Sequence, residues 1–164
     1  MNMIPESLPL VMCVDPCAAS VTGDSGDSIK LTNAKGAWIV CFHAAANDND
    51  VTLTVHEGET AAVAKAGTYD LATTASTTFP IWLNNATGTS DTLVRQTDAV
   101  SLVIDSDVGG DQIVVIYVEA SKLTNGRDWI NCGFDAGHAS NFLTIFYILD
   151  GARYQQATPP TAIA

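Results

Sequence analysis

The apolar positions of the chain recur in short runs of β-branched and aromatic residues, which are separated by clusters of glycine, asparagine and aspartate. In the segment Val51–Val55 apolar and polar residues alternate, which is the period of a strand with one buried face. Runs of this kind predict β-strands throughout the chain. We predict strands over Leu8–Val14, Ser28–Thr32, Ala37–Ala44, Val51–His56, Tyr69–Thr73, Thr78–Leu83, Thr92–Arg95, Val100–Ile104, Gln112–Glu119, Asp128–Cys132 and Phe142–Leu149.

One of these runs, Ile113-Val114-Val115-Ile116, is apolar at every position. Such a run is typical of a strand whose two faces are both covered. It predicts either a central strand between two layers of the same chain or a strand with one face against a neighbouring subunit.

Turn residues separate the predicted strands. Asn47–Asp50 joins two strong runs, since Asn and Asp side chains bond to nearby backbone and tolerate left-handed conformations. Gly109-Gly110 and Asn125-Gly126 predict hairpin turns, which need residues with positive φ. The only predicted helix, Glu59–Lys65, is too short to be stable alone and is expected to be a connector.

Many short strands with almost no helix predict an all-β fold, a single-domain β-sandwich that is jelly-roll-like. The domain is expected to span residues 1–164. Residues 1–9 are interpreted as an N-terminal arm. Residues 155–164, which contain Pro159-Pro160, are interpreted as an extended C-terminal tail.

Composition narrows the set of partners. Apolar residues make up 47% of the 164 residues and charged residues only 15%, so part of the surface must be apolar or neutral, which favours a protein partner. The net charge is −11, from 18 acidic and 7 basic residues, and the basic residues are scattered singly. Affinity for nucleic acids and for anionic membranes depends on clustered cations, so neither nucleic acid nor membrane is an expected partner.

The cysteines are expected to be reduced. The N-terminus lacks the charged and apolar regions of a signal peptide, and the apolar run Phe142–Leu149 is too short to span a bilayer, so we expect folding in a cytosol. Cysteines in that compartment are mostly buried thiols, which is the interpretation for Cys13, Cys17, Cys41 and Cys132. A Cys13–Cys17 disulfide across Asp15-Pro16 is the less favoured alternative.

The sequence contains one tetrapeptide that resembles a catalytic motif, but the residues around it do not support catalysis. Gly23-Asp24-Ser25-Gly26 spells the nucleophile motif of trypsin-like proteases, but no histidine precedes it, and triads depend on geometry rather than on a tetrapeptide. We interpret this segment as a turn and predict that the protein is not an enzyme. The enzyme alternative is a glycosidase with two carboxylates on distant strands.

No metal or other cofactor is predicted. Cys41 and His43 share a strand face but lack the close ligand pairs of zinc sites, so Cys41 is expected in the core and His43 at a strand end, hydrogen-bonded or solvated. Asp105–Asp111 has alternating oxygen ligands without the spacing of a calcium loop, and we interpret it as an acidic hairpin turn. The three tryptophans, Trp38, Trp82 and Trp129, are expected in the core rather than on a sugar-binding platform.

Several segments resemble a pattern in small structural proteins of tailed bacteriophages. The resemblance is carried by Asp111–Ile116, Leu123, Asp128-Trp129-Ile130 and the ending Leu149-Asp150-Gly151-Ala152-Arg153-Tyr154-Gln155 before a Pro-rich tail, with Leu8-Pro9-Leu10-Val11 and Trp38 nearer the N-terminus. It covers the last third of the chain clearly and the rest loosely. The four cysteines and residues 57–66 do not belong to the pattern.

The resemblance implies a capsid decoration or cement protein on the outer surface of the virion, made in the host cytoplasm. Its partners would be the major capsid protein and further copies of itself, as a homo-oligomer (dimer or trimer). We expect Leu8, Leu10, Tyr154 and Ile163 to contact the capsid or a sister subunit, the alternative being core residues or a disordered tail. The alternative function is a glycan- or host-surface-binding β-sandwich of a phage tail or capsid, which predicts an exposed tryptophan or tyrosine cluster.

Overall fold

The computed structural model describes residues 9–19, 26–71, 78–85, 88–108, 110–135 and 137–152. Nearly all of the regular structure in these residues is β. The strands are β1 (Leu10–Ala18), β2 (Ile29–Lys30), β3 (Ala34–Ala44), β4 (Val51–Gly58), β5 (Tyr69–Asp70), β6 (Ile81–Asn84), β7 (Val94–Arg95), β8 (Ser101–Ile104), β9 (Gln112–Glu119), β10 (Trp129–Phe134) and β11 (Phe142–Ala152), and helix α1 spans Ala61–Lys65.

The strands form two antiparallel sheets that pack face to face. The larger sheet has the order β1-β11-β3-β9-β6-β7, and the smaller has the order β2-β10-β4-β5, with β8 also paired to β4. Strand β4 accommodates two neighbours along one edge because β8 pairs with residues 51–54 and β5 with residues 56–57. The prediction of an all-β sandwich is confirmed.

The connectivity is that of a jelly roll. Without the short additions β5, β6 and β7, the sheets have the orders β1-β11-β3-β9 and β2-β10-β4-β8. The chain crosses from one sheet to the other at each step from β1 to β4 and again from β8 to β11. Eight strands connected in this way form the two Greek keys of a jelly roll.

The core lies between the inner faces of the two sheets, where residues such as Ile39, Leu53 and Ile145 are fully buried. The phenol of Tyr147 is also fully buried, and its hydroxyl makes three hydrogen bonds. It accepts hydrogen bonds from the Cys13 thiol (2.9 Å) and the Cys132 amide (3.0 Å), and it donates to the Asp27 carbonyl (3.1 Å). A buried polar group with all its partners costs little stability, so this tyrosine joins β1, β10 and β11 through the core.

The four cysteines, all of them within the described residues, form no disulfide. Three are buried, and Cys17 is half-buried. Burial raises the pKa of Cys13 to about 12, and the Tyr147 hydrogen bond opposes that rise. The three buried thiols behave as small apolar residues, as the sequence predicted, whereas Cys17 is less buried than predicted.

Strand β1 differs from its prediction, which ended it at Val14 before Asp15-Pro16. The strand continues to Ala18, with register shifts between Met12 and Val14 and between Val14 and Cys17. Proline removes a backbone donor and is tolerated in edge strands and bulges. Because β1 lies at the edge of the larger sheet, Pro16 does not end it.

The hairpin predictions at the two glycine turns are wrong. Gly110 and Gly126 do adopt positive φ, at 105° and 89°. However, the turns lie on the connections from β8 to β9 and from β9 to β10, which join strands of different sheets. The glycines therefore permit a reversal of the chain between the sheets rather than a hairpin within one sheet.

The predicted connector helix is confirmed, with a slightly later start. Helix α1 begins at Ala61, because the Thr60 side chain accepts a hydrogen bond from the Val63 amide and caps the first turn. It contacts β4 and β10 of the smaller sheet. Among the described residues, no helix has the length and apolar character needed to cross a membrane.

Candidate protein-binding face

The outer faces of the two sheets differ in chemistry. On the smaller sheet, the outward positions of β4 are Thr52, Thr54 and His56, which alternate with buried Val51, Leu53 and Val55. This is the ordinary pattern of a sheet with one face in water. On the larger sheet, most of the outward positions are themselves apolar.

We call this outer surface of the larger sheet the apolar face. Strand pairing aligns its side chains in three rows across the strands. The first row is Leu10, Ile148, Trp38 and Tyr117; the second is Met12, Phe146, Val40, Val115 and Trp82; the third contains Phe42 and Ile113, with Phe142 beside it.

The apolar face is open to solvent within the described structure. Leu10 is 64% exposed, Phe142 54%, Met12 47% and Phe42 42%. Large apolar side chains at such exposure are unremarkable singly, but a contiguous patch marks an interaction site. The sequence signal for this face was present in the strands that are apolar at consecutive positions, in particular Ile113–Ile116.

Three aromatic rings pack together at one side of the apolar face. The Trp38 ring lies 4.5 Å from the Tyr117 ring and 5.5 Å from the Trp82 ring, measured between centroids. The Arg95 guanidinium lies 4.9 Å from the Trp82 ring centroid, at a distance suited to a cation–π contact. Trp82 therefore lies between a second tryptophan and a cation.

The prediction that the tryptophans belong to the core is wrong. Trp38, Trp82 and Trp129 are all half-buried on outer faces. Their chain neighbours Ile39, Ile81 and Ile130 take the inward positions, since successive side chains of a strand point to opposite faces. Trp129 has the Lys30 ammonium 5.8 Å from its ring centroid.

Tyr117 is held in place by the end of β11 and by a glycine. Its hydroxyl donates a 2.8 Å hydrogen bond to the Asp150 carboxylate. Partial burial, with this bond and the carboxylate charge, raises the pKa of Tyr117 to about 12. The ring lies beside Gly36, where a Cβ atom would lie 2.8 Å from the hydroxyl and would also collide with the Val118 carbonyl.

A shallow hollow of about 370 Å³ lies at the other end of the apolar face. Its apolar walls include Phe42, Ile113 and Phe142, and its rim includes Pro16 and Thr144. The Phe42 ring stacks on Phe146, with centroids 5.8 Å apart, which fixes one wall. A hollow of this kind can receive an apolar side chain from another protein.

The two ends of the sandwich differ in charge. Beyond the hollow, exposed carboxylates lie on the loops at the ends of β3 and β8 and at the start of β9. These residues are Asp48, Asp50, Asp105, Asp107 and Asp111. Desolvation and then the neighbouring carboxylates raise the pKa of Asp107, and no lysine or arginine lies in the described parts of these loops.

The acidic segment 105–111 is not the hairpin turn that its sequence predicted. Residues Ser106–Val108 form a 3-10 turn on the connection between sheets. Ser106 is buried, its amide donates to the Asp50 carboxylate (3.0 Å), and its hydroxyl donates to the Asn49 carbonyl (2.8 Å). The segment is therefore fixed against the loop that precedes β4.

The Cys41 and His43 predictions have different outcomes. Cys41 is 1% exposed and lies in the core, as predicted. His43 is also 1% exposed, and within the described residues neither ring nitrogen has a hydrogen-bond partner, so the expectation of a bonded or solvated ring is wrong. Burial lowers the pKa of His43, and the Asp111 charge opposes this. No group of three or more metal-ligating side chains occurs among the described residues.

Of the four predicted interface residues, Leu10 is the one the structure describes. It belongs to the first row of the apolar face, at the edge of the sheet. Leu8, Tyr154 and Ile163 lie outside the described residues, as do most of the predicted arms. Pro9 is described, and its carbonyl accepts a 3.0 Å hydrogen bond from the Leu149 amide.

No protein-family profile, curated protein or solved structure matches the chain. The resemblance to phage structural proteins therefore rests on the sequence motifs alone. In the fold these motifs occupy the first part of β9, the start of β10 and the end of β11.

Proposed function

We propose that the chain is a structural virion protein that decorates the outer surface of a tailed-phage capsid and stabilises contacts between capsomers. The observation that carries the proposal is the apolar face, a broad and open hydrophobic surface on a rigid two-sheet core. A surface of this kind gains free energy when another protein surface covers it.

A cement protein needs rigid, complementary surface rather than chemistry. Packaged DNA presses outward on a shell, and a protein that bridges neighbouring capsomers adds binding energy across their seams. The symmetry of the shell repeats each contact many times, so modest contacts suffice. A sandwich of eight core strands supplies the rigidity, and Leu10, the first residue of β1, lies in the apolar face.

The charge of the chain is consistent with a position outside the shell. A net charge of −11 disfavours contact with packaged DNA. The same charge keeps an apolar-faced protein soluble before it assembles.

The proposal is tested with capsids that lack the chain, produced from a phage in which its gene is deleted. Purified protein added to these particles is expected to bind at a fixed number of copies and to raise the temperature at which DNA is released. If the protein does not bind, or if bound protein leaves the release temperature unchanged, a cement role is excluded.

A second candidate function, glycan binding, is favoured by one observation. The half-buried cluster of Trp38, Trp82 and Tyr117 is the kind of aromatic surface that this alternative predicted. Sugar rings stack on aromatic faces, although one face of Trp82 already contacts Arg95. Quenching of tryptophan fluorescence by oligosaccharides would support glycan binding, and Trp38→Ala should then abolish the quenching.

A further inference from the structure

We propose that the apolar face is covered by a second copy of this chain, so that two sandwiches pack face to face through their larger sheets as a two-fold dimer. This inference rests on the proposed function to the extent that both assign the apolar face to protein–protein contact. It names a sister copy as the partner that covers the face, so contact with the capsid falls to the remaining surface of the dimer.

The size of the apolar face suits a stable dimer. The face spans five strands, from β1 to β6, and three side-chain rows, with Phe142 beyond the third row. With strands about 4.8 Å apart and rows about 6.6 Å apart, its projected area is about 500 Å². Specific interfaces bury about 600–1,000 Å² on each partner, and because side chains stand out from the sheet, the accessible area of the face exceeds its projected area and reaches the lower end of that range.

The chemistry of the apolar face allows it to pack against itself. In a two-fold interface the same patch occurs on both sides, so a charge near its centre would meet a like charge. The central row consists of Met12, Phe146, Val40, Val115 and Trp82, none of them charged. Two sheets with apolar faces pack about 10 Å apart, as they do within each sandwich.

The charge at the two ends of the sandwich selects the orientation of the second copy. One end carries the five exposed aspartates described above. The opposite end is mixed, with exposed Lys35 and Lys122 beside Glu119 and Asp150. A two-fold axis in the plane of the sheet and perpendicular to the strands places each acidic end beside the mixed end of the other copy. The alternative axis, parallel to the strands, would bring the two acidic ends together.

Sedimentation velocity of the purified chain tests the dimer directly. At micromolar concentration the wild-type protein is expected to sediment as a species with twice the 17.2 kDa mass of one chain. Phe42→Lys and Phe142→Lys each place an ammonium group on the apolar face, twice per dimer. Each should raise the dissociation constant by at least about tenfold, because a buried unpaired charge is costly.

Val103→Lys is the matched control. Val103 is 53% exposed on the outer face of the smaller sheet, opposite Thr52, so the same chemical change falls outside the proposed interface. It should leave the dimer unchanged. Circular dichroism confirms that each variant folds, and two face variants are used so that a folding defect in one leaves the test intact.

A double variant tests the relative orientation of the two copies. Lys35→Glu combined with Lys122→Glu should weaken the dimer at low salt, and the effect should disappear in about 1 M salt, where charges are screened within about 3 Å. If this pair has no effect at low salt, the antiparallel orientation is wrong.

A wild-type chain that stays monomeric, or a dimer that is insensitive to both face variants, would overturn the inference. A trimer would also overturn it, because a face that packs on itself closes with two copies. These outcomes are separate from the capsid test. A monomer that binds capsids would contradict the dimer and support the proposed function. A dimer that does not bind capsids would support the dimer and contradict the proposed function.

Discussion

The hydroxyl of Tyr117 donates a 2.8 Å hydrogen bond to the carboxylate of Asp150 at the border of the apolar face. Partial burial and this carboxylate raise the pKa of Tyr117 from 10.0 to about 12. A pKa that is higher in the folded state means that the folded chain holds the phenol proton more tightly. The contribution of the Tyr117 phenol to the free energy of unfolding is therefore greatest below about pH 10, and it is lost as the pH rises through about 12.

Tyr117→Phe should accordingly lower the free energy of unfolding more at pH 8 than at pH 11.5. The ionisation of other buried groups, such as Cys13 and Tyr147, affects both proteins and cancels in the difference. Urea unfolding of the two proteins at both pH values measures this. An equal difference at the two pH values would show that the Tyr117 phenol does not titrate as its contacts indicate.

Glu57 and Glu59 are two carboxylates beside the same arginine, but only one of them is buried. Glu57 is fully buried and accepts hydrogen bonds from Arg127 (2.7 Å) and from the Thr124 hydroxyl (2.6 Å). Glu59 is half exposed and lies 3.6 Å from Arg127. Glu57→Gln should cost about 3 kcal/mol of unfolding free energy, because it breaks a buried charged network.

Glu59→Gln is the matched control and should change stability by less than about 1 kcal/mol, as exposed ion pairs do. Chemical denaturation of both variants gives the comparison. Equal losses would mean that burial of Glu57 does not govern the strength of this network.

Gly36 lies where β3 passes Tyr117 and β9. A Cβ atom at this position would collide with the backbone of Val118, which cannot shift without disturbing the sheet. Gly36→Ala should therefore destabilise the fold by about 1–3 kcal/mol. At Gly88 no atom of the described residues lies within 4 Å of the added atom, so the same substitution should be neutral or slightly stabilising. Thermal unfolding that ranks the two variants in the opposite order would contradict this account.

The terminal segments are expected to contribute to capsid binding. Deletion of residues 1–7 together with residues 158–164 removes Ile163 and leaves Leu10 and the described core in place. This double deletion should weaken binding to capsids that lack the chain, while the thermal midpoint of the isolated protein stays within a few degrees. Unchanged capsid binding would exclude a role for the arms.

Much of the fold could be predicted because the strands carry strong local signals. The bounds of β9, Gln112–Glu119, match the prediction at both ends, and every other strand overlaps its predicted range. Six of them extend beyond that range at one end, namely β1, β3, β4, β6, β10 and β11. Burial of Cys41 followed from its apolar neighbours. These features depend on residues close together in the chain, which is where periodicity is informative.

The errors concern properties that depend on distant parts of the chain. A strand that is apolar at every position does not reveal which residues face the core, so Trp38 and Trp82 were assigned inward. Pro16 is tolerated because β1 is an edge strand, and edge position is set by pairing with β11. A glycine turn such as the one at Gly126 fixes φ but not which sheet the next strand joins.

The apolar face was anticipated in part. The run Ile113–Ile116 predicted a strand that is covered either by a second layer or by a neighbouring subunit, and the described structure leaves its outer side chains without a covering layer. The extent of the face arises from register across five strands, which no single run encodes.

The measurement that tests the central claim most directly is the copy number of this protein in purified virions, counted by quantitative mass spectrometry against the major capsid protein. A decoration protein is expected at parity with the capsid protein or at a simple fraction of it, because it occupies symmetry-related sites on the shell. A handful of copies per virion would contradict the account in favour of a tail or vertex binding module. Complete absence from the virion would contradict any structural role and reopen the enzyme alternative.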